Sequence, residues 1–357
     1  MPDVHTRSLG ELRRLDAAAF GGKSANLGEL LSLGLHVPTG FAVAASAFRT
    51  FVDGTGLDGT IAAAMARAAS GDVEDGAAAS KAIGEAMRFA PLPDDVRDEL
   101  AARHDELVRA HGGEPPPVAV RSSAIGEDGE ESTFAGQQES FLWLRGLEQV
   151  CDAVRDCWAS LYTPRAIGYR AARGAGGEEP AMGVTVQEMV DAEVSGVLFT
   201  CNPVSGDPSM VAIDASWGLG TAVVGGELTP DAYLVSKVTG EVARRTVHTK
   251  HVEYVPAPSG RGTIRRAVPE GRRDEPCLDE EALAALVRVA RRIEDHFGSP
   301  QDVEWALARE RAAPDVVHVL QARPVTTLPE RKPALSGSAL SLVLSTFGAP
   351  PGTSDRA

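Results

Sequence analysis

Along residues 317–328, "VHVLQARPVTTL", apolar and polar positions alternate with the period of two that sends successive side chains to opposite faces of a strand. The pattern predicts a strand over 316–325 and sets Gln321 and Arg323 side by side on one face. The preceding "DVEWALA" (302–308) alternates as well, with Val303, Trp305 and Leu307 facing away from Asp302 and Glu304. Joined by "RERAAPD" (309–315), the two predict an antiparallel hairpin. A turn centred between residues 312 and 313 puts Glu304 opposite Gln321 and Asp302 opposite Arg323, so that all four share a face. From residue 182 onward other strands are expected at "GVTVQEMV" and "SGVLFT", in a hairpin-like arrangement, and at "MVAIDASWG" and "AYLVSK".

A helical period governs other segments. Leu27, Leu30 and Leu31 line one stripe of "SANLGELLSLG" (24–34), with Gly34 and Pro38 as stop signals. Residues 60–110 are Ala-rich and helical in pattern, broken at "SGD" (70–72) and "PLPDD" (91–95). One helix is expected over 147–172 and another over 279–297, with Asp279 at its start. "GGEPPP" (112–117) is a turn before a strand, "VAVRSSA" (118–124). The last stretch, about residue 331 onward, is rich in Pro, Ser and Gly and is expected to be a tail. No internal repeat is visible.

At 357 residues, with 43% hydrophobic and 24% charged positions, the chain is expected to fold and to bury a sizeable core. A net charge of −15 argues against a general nucleic-acid binder, though not against a local basic pocket for phosphates. Cys151, Cys157, Cys201 and Cys277 form no CxxC pair, so neither a zinc site nor a disulfide framework is suggested. The N-terminus has no apolar signal region, and no run approaches a membrane span, so a soluble, cytoplasmic protein is expected.

The candidate chemistry is phosphate and metal chemistry. "FGGKS" (20–24) is no P-loop, because the spacing that motif requires puts Ala17 where a glycine is needed. Lys23 nevertheless follows two glycines at a helix start, where backbone amides favour anions; the alternative is a solvated helix-end lysine. Arg121 ends a strand, and Gly136 lies in "STFAGQQES", a loop rich in small polar residues of the kind that wraps phosphates. An isolated strand arginine is otherwise an ion-pair partner. The carboxylate of Glu304 beside the amide of Gln321 suits Mg²⁺, a hard cation that keeps water and substrate ligands, and Arg323 suits a phosphate oxygen. The alternative is a plain cross-strand polar pair on an exposed face.

With these residues in view, the chain resembles the nucleotide-binding domain of the phosphoenolpyruvate synthase, pyruvate phosphate dikinase and rifampin phosphotransferase group, an ATP-grasp relative. The resemblance rests on five blocks in the family's order between about residues 10 and 328: "GGKSANLGELLSLGLHVPTGFAV", "AVRSSAIGED…STFAGQQESFL", "VQEMVDAEVSGVLFTCNPVSGD", "ASWGLGTAVVGGELTPD" and "DVEWAL…VLQARPVTTL". It implies an α/β (α+β) two-lobed ATP-grasp-like fold, with lobes at 1–190 and 191–330 and a flexible tail at 331–357. It implies ATP and Mg²⁺ as cofactors. Lys23, Arg121 and Arg323 would act on the phosphates as the catalytic cations, with Gly136 and Ser140 in the covering loop. Gln187, Glu188, Met189 and Val190 would form the adenine hinge, and Glu304 and Gln321, with Asp302 beside them, would hold the metal.

Two motifs depart from the family pattern. Thr221 ends "GLGT" where the family commonly has Glu, with Glu227 nearby as a candidate substitute, and "AIGED" (124–128) stands for the family's "ATAED". None of the eight histidines lies in a Thr-rich, Gly-Gly-containing phospho-acceptor motif, and nothing after residue 328 resembles a swivelling or pyruvate-binding domain. His248 and His251 read as a surface strand or loop. The implied function is an ATP-dependent phosphotransferase working with a separate histidine-bearing partner. A self-contained kinase or ligase acting on a small molecule, and a non-catalytic nucleotide-binding module, are the alternatives.

Overall fold

The computed structural model describes residues 4–68, 72–125, 139–173, 181–310 and 316–326. Gly136, the tail at 331–357 and most of the 309–315 turn lie outside the described residues. Two antiparallel sheets organise the chain. The first has five strands, β1 (Thr6–Ser8), β2 (Gly40–Val43), β3 (Val118–Ala124), β4 (Ser140–Leu144) and β5 (Met182–Glu188), in the order β1-β2-β5-β3-β4. The second has six, drawn from β6 (Ala192–Phe199), β7 (Met210–Trp217), β8 (Asp231–Ser236), β9 (Val242–Thr246), β12 (Gln301–Ala308) and β13 (His318–Pro324), in the order β13-β12-β6-β7-β8-β9. A separate hairpin pairs β10 (Val252–Pro256) with β11 (Thr263–Ala267).

The helices are α1 (Ala17–Phe20), α2 (Gly22–Ser32), α3 (Ala45–Thr55), α4 (Leu57–Ala68), α5 (Val73–Phe89), α6 (Asp94–Ala110), α7 (Leu147–Ala159), α8 (Pro164–Arg173), α9 (Thr221–Val224) and α10 (Glu280–Phe297). None among the described residues is long and apolar enough to cross a membrane.

Alternation along the strands sorts side chains between two environments. Val118 and Val120 of β3, with Val184 and Val186 of β5, join Phe41, Phe51 and Trp158 in a core under α3 to α8. The intervening Ala119, Arg121 and Gln187 face a cavity instead. In the six-stranded sheet Val303, Trp305 and Leu307 are fully buried against α10 residues such as Leu286 and Ile293, as the pattern of β12 predicts. Leu27 and Leu30 of α2 belong to this second core. The Asp279 side chain caps α10, accepting the Ala282 N–H at 2.8 Å.

Two expectations are corrected. The segments 183–190 and 195–200 are not a hairpin: β5 pairs with β2 and β3, β6 pairs with β7 and β12, and the chain crosses from one sheet to the other between Glu188 and Ala192. Backbone bonds hold the crossing open, from Met189 N to Pro117 O (2.9 Å) and from Arg309 N to Asp191 O (2.8 Å). The helix expected over 147–172 is broken into α7, a short turn at Ser160–Tyr162, and α8. Pro164 forces the break, since it cannot donate an N–H and holds Thr163 extended (ψ 154°).

The four cysteines are buried and unpaired, and burial pushes the Cys151 thiol up to about 11. A buried ion pair fastens the second sheet to the loop after it. Lys250 Nζ donates to Asp231 Oδ1 at 2.6 Å, and both side chains are sealed from water. The same carboxylate accepts the backbone N–H groups of His248 (2.9 Å) and Cys277 (2.8 Å). Those bonds satisfy the lone pairs that make an incomplete buried pair costly.

Candidate functional site

A cavity of about 730 Å³ opens between the two sheets. Its charged lining is Lys23, Arg121, Glu188, Glu304 and Arg323, with Gln321 and Ser140 among the polar residues. Leu142, Met189, Val190, Leu219, Ala306 and Leu320 supply apolar lining.

Lys23 arrives through α2. Gly21, with φ +81°, passes so close to β3 that a Cβ on it would meet Ser123 O at 2.2 Å. Ser24 N then donates to Ser123 Oγ (3.2 Å), and Ser24 Oγ bonds Thr185 Oγ1 (2.7 Å). Asn26 Nδ2 reaches the other sheet at Ala322 O (3.3 Å). The "GKSAN" stretch is thus stitched to both sheets. Lys23 is 4% exposed, with Nζ 3.1 Å from Ser122 O, so the solvated helix-end reading is overturned.

Arg121 and Glu304 come from different sheets and meet across the cavity, with Nη1 and Oε2 3.4 Å apart. Their side chains are 14% and 27% exposed. The Arg121 Nε is buried with no partner among the described residues. Ser140 stands opposite Arg121 in the β3–β4 pairing.

The expected hairpin register is the observed one: Asp302 opposite Arg323 and Glu304 opposite Gln321. Beyond it the register slips, so that Trp305 pairs with Val319 and Leu320 is the extra residue of a bulge. The slip turns both Leu320 and Gln321 toward the cavity and Val319 and Ala322 toward the core. Arg323 donates twice to Asp302 Oδ2, at 2.9 and 2.8 Å. Burial raises the Asp302 carboxyl above its ordinary value, and the Arg323 guanidinium holds it back.

Gln187 is buried, lines the cavity and donates to Pro38 O at 3.3 Å. Glu188 N donates to Thr39 O (2.8 Å), and its carboxylate accepts from Thr39 Oγ1 (2.9 Å). Gln187, Glu188, Met189 and Val190 all line the cavity, at the point where the chain changes sheets. Thr221 lines it too, and its Oγ1 is buried without a partner among the described residues. Glu227 is occupied elsewhere, accepting from Tyr254 OH at 2.8 Å and pairing with Arg265 at 3.6 Å.

Sequence reasoning named Met189 and Val190 but missed the rest of the apolar lining. Ala119 was accessible to it, because alternation in "VAVRSSA" sends Ala119 and Arg121 to one face. So was Ala306, which alternation in "DVEWALA" puts on the face of Asp302 and Glu304, whereas Leu142, Leu219 and Leu320 carried no such signal, since bulges and a loop decide where they point.

A Mg²⁺ ion would find two oxygen donors on one hairpin face, the Glu304 carboxylate and the Gln321 amide. The described residues contain no cluster of three or more His, Cys, Asp or Glu suited to a metal. A two-donor platform fits an ion that completes its shell with water and phosphate oxygens.

Residues 17–339 match the family of the pyruvate phosphate dikinase AMP/ATP-binding domain. The chain belongs to that family, and its mixture of helices and antiparallel sheets is the architecture expected from the resemblance. It is 40% identical to a probable phosphoenolpyruvate synthase of Methanothermobacter thermautotrophicus over 96% of this chain and 49% of that protein. It is also 40% identical to a rifampicin phosphotransferase of a Streptomyces species, over 91% of this chain and 37% of that protein. The chain thus spans half or less of these relatives' length. An ADP complex of N5-carboxyaminoimidazole ribonucleotide synthetase aligns with 64% of this chain and 38% of that one at 13% identity and a TM-score of 0.27.

The raised Asp302 carboxyl gives a signed expectation. The folded chain takes up this proton at a higher pH than the unfolded chain does. The wild type therefore gains stability relative to Asp302→Asn as pH falls through the raised value, and that gain is absent at neutral pH. Urea unfolding of both proteins between neutral and mildly acidic pH checks it; a constant difference contradicts the assignment.

Proposed function

We propose that the cavity is a Mg-ATP site and that the chain is the nucleotide-binding part of a dikinase-type phosphotransferase. The two sheets act as its two lobes. The observation that carries this reading is the meeting of Arg121 and Glu304 across the cavity, 3.4 Å apart, with Lys23, Gln321 and Arg323 around them. Three cations converge where a polyphosphate needs its charge neutralised, and one carboxylate with one amide stands where its cation needs oxygen.

In this reading Arg121 exchanges Glu304 for phosphate oxygens when nucleotide enters. Lys23, anchored by α2 to both sheets, holds a second phosphate group, and Arg323, oriented by its two bonds to Asp302, a third point of the chain. Asp302 thus serves as Arg323's anchor, leaving Glu304 and Gln321 as the metal donors. Mg²⁺ held there would neutralise phosphate charge and fix the geometry of the transferred group. Gln187 to Val190 cradle the adenine against the apolar lining.

The acceptor comes from outside these residues. All eight histidines lie among the described residues, and none lines the cavity. A phosphohistidine relay of the kind the family resemblance implies would need a histidine delivered to the cleft from outside these residues; the relatives' names also allow a small-molecule acceptor, as in rifampicin phosphotransferase.

Two measurements test the reading. Calorimetry with ATP and Mg²⁺ should show saturable binding, and no heat at millimolar nucleotide would sink it. Arg121→Ala and Glu304→Ala should each slow ATP consumption, followed by phosphorus NMR, by about 10²–10³-fold with the circular dichroism spectrum unchanged. Near wild-type rates in both variants would show that the chemistry lies elsewhere.

A further inference from the structure

Strand β4 breaks the alternation that β3 and β5 obey. Val118 pairs with Leu144 and Val120 with Phe141, so Leu142 and Trp143 together oppose Ala119. This bulge re-aims a side chain. Phe141 and Leu144 pack with the core beneath the helices. Leu142 lines the cavity, and Trp143, 6% exposed, is buried among residues that line it. An unbroken strand would send Trp143 to the same face as Phe141.

The bulge is held by a backbone angle that tryptophan avoids. Trp143 has φ +58°, and it is the one non-glycine residue with positive φ among the described residues. A bulky residue keeps that angle only where its surroundings over-determine it. Those surroundings are the apolar wall of the cavity. Trp143 shares one buried cluster with Met189, Val190, Ala192, Leu219, Ala306 and Leu320, all of which line the cavity. These six come from the six-stranded sheet, from the crossing that leads into it and from the loop after β7, and Trp143 brings in the five-stranded sheet. The Trp143 carbonyl also accepts Gly262 N at 2.9 Å from the turn of the β10–β11 hairpin, whose Tyr254 carbonyl accepts Leu219 N at 2.8 Å. The hairpin is therefore clasped to the five-stranded sheet at Trp143 and to the apolar wall at Leu219.

We propose that Trp143 is the positioning residue of the cleft's apolar wall. Its indole wedges the seam where the two sheets and the hairpin meet, and so sets where Leu142, Met189 and Val190 stand against the base of a bound nucleotide. Affinity for the nucleoside portion depends on it, and affinity for the phosphates does not. The inference rests on the reading of the cavity as an ATP site.

The test compares ATP with inorganic tripolyphosphate, each with Mg²⁺, by calorimetry on the full chain and its Trp143→Gly and Trp143→Phe variants. Glycine adopts the left-handed angle without strain, so that variant keeps the bulge and removes only the indole. Trp143→Asn, which tolerates the same angle, replaces it if the glycine variant does not fold. The glycine variant should weaken ATP binding about tenfold, and the phenylalanine variant less than about threefold, as expected for losing or shrinking one buried aromatic. Tripolyphosphate affinity should stay within about twofold throughout, because its contacts are charge pairs. Unchanged ATP affinity without the indole overturns the proposal. An equal loss for both ligands overturns it too, since that is what general loosening produces. A wild-type chain that binds tripolyphosphate and ATP equally, or neither, overturns the ATP-site reading itself, and the wild-type arm alone reveals that failure.

Discussion

The ion pair between Arg121 and Glu304 is the contact on which the site depends. Each side chain hangs from a different sheet, and at 3.4 Å they close the cavity from both sides. Two unit charges at about 4 Å attract by about 4 kcal/mol in a partly shielded setting. Desolvating both partners cancels much of that gain. The net contribution of such a pair is small, and on the proposed reading it gives way to phosphate oxygens at the guanidinium and a divalent cation at the carboxylate. The pair itself holds both groups in place across the cavity.

Everything around the pair serves to aim it. Arg121 points into the cavity because Val118 and Val120 point the other way, into the core under the helices. Glu304 does so because Val303 and Trp305 are fully buried in the second core. Gly196, across the sheet from Trp305, leaves room for that indole: a Cβ there would stand 2.9 Å from Trp305 Cζ2 and 1.8 Å from Asp214 O. Helix α2 ties the sheets together through Ser24 and Asn26, so Lys23 enters at a set height. Two bulges finish the work, one turning Leu320 and Gln321 inward together, the other Leu142 and Trp143.

Much of this was legible in the chain itself. Alternation in "DVEWALA" and "VVHVLQARPV", with a turn centred between residues 312 and 313, gives the register that faces Glu304 with Gln321 and Asp302 with Arg323, and the buried face excludes a one-residue slip. The helix stripe of Leu27 and Leu30 was equally clear. What stayed hidden has physical causes. That β5 and β6 belong to different sheets depends on backbone bonds to Pro117 and Arg309, which are remote in sequence. The burial of Lys23 depends on Gly21 meeting Ser123, some hundred positions away. The left-handed angle at Trp143 leaves no trace in a stretch, "SFLWL", that reads as an ordinary strand. Thr221 was flagged by its departure from the family pattern, and Glu227, the candidate substitute, is engaged by Tyr254 and Arg265.

Membership in the pyruvate phosphate dikinase AMP/ATP-binding family gives the cavity a coherent use. On the proposed reading Glu304 exchanges Arg121 for a nucleotide-bound cation, and the effect of Mg²⁺ on ATP affinity in the wild type and in Glu304→Gln measures that exchange. Mg²⁺ should strengthen ATP binding in the wild type, and most of this gain should disappear in the variant. An undiminished Mg²⁺ effect in Glu304→Gln would contradict that reading.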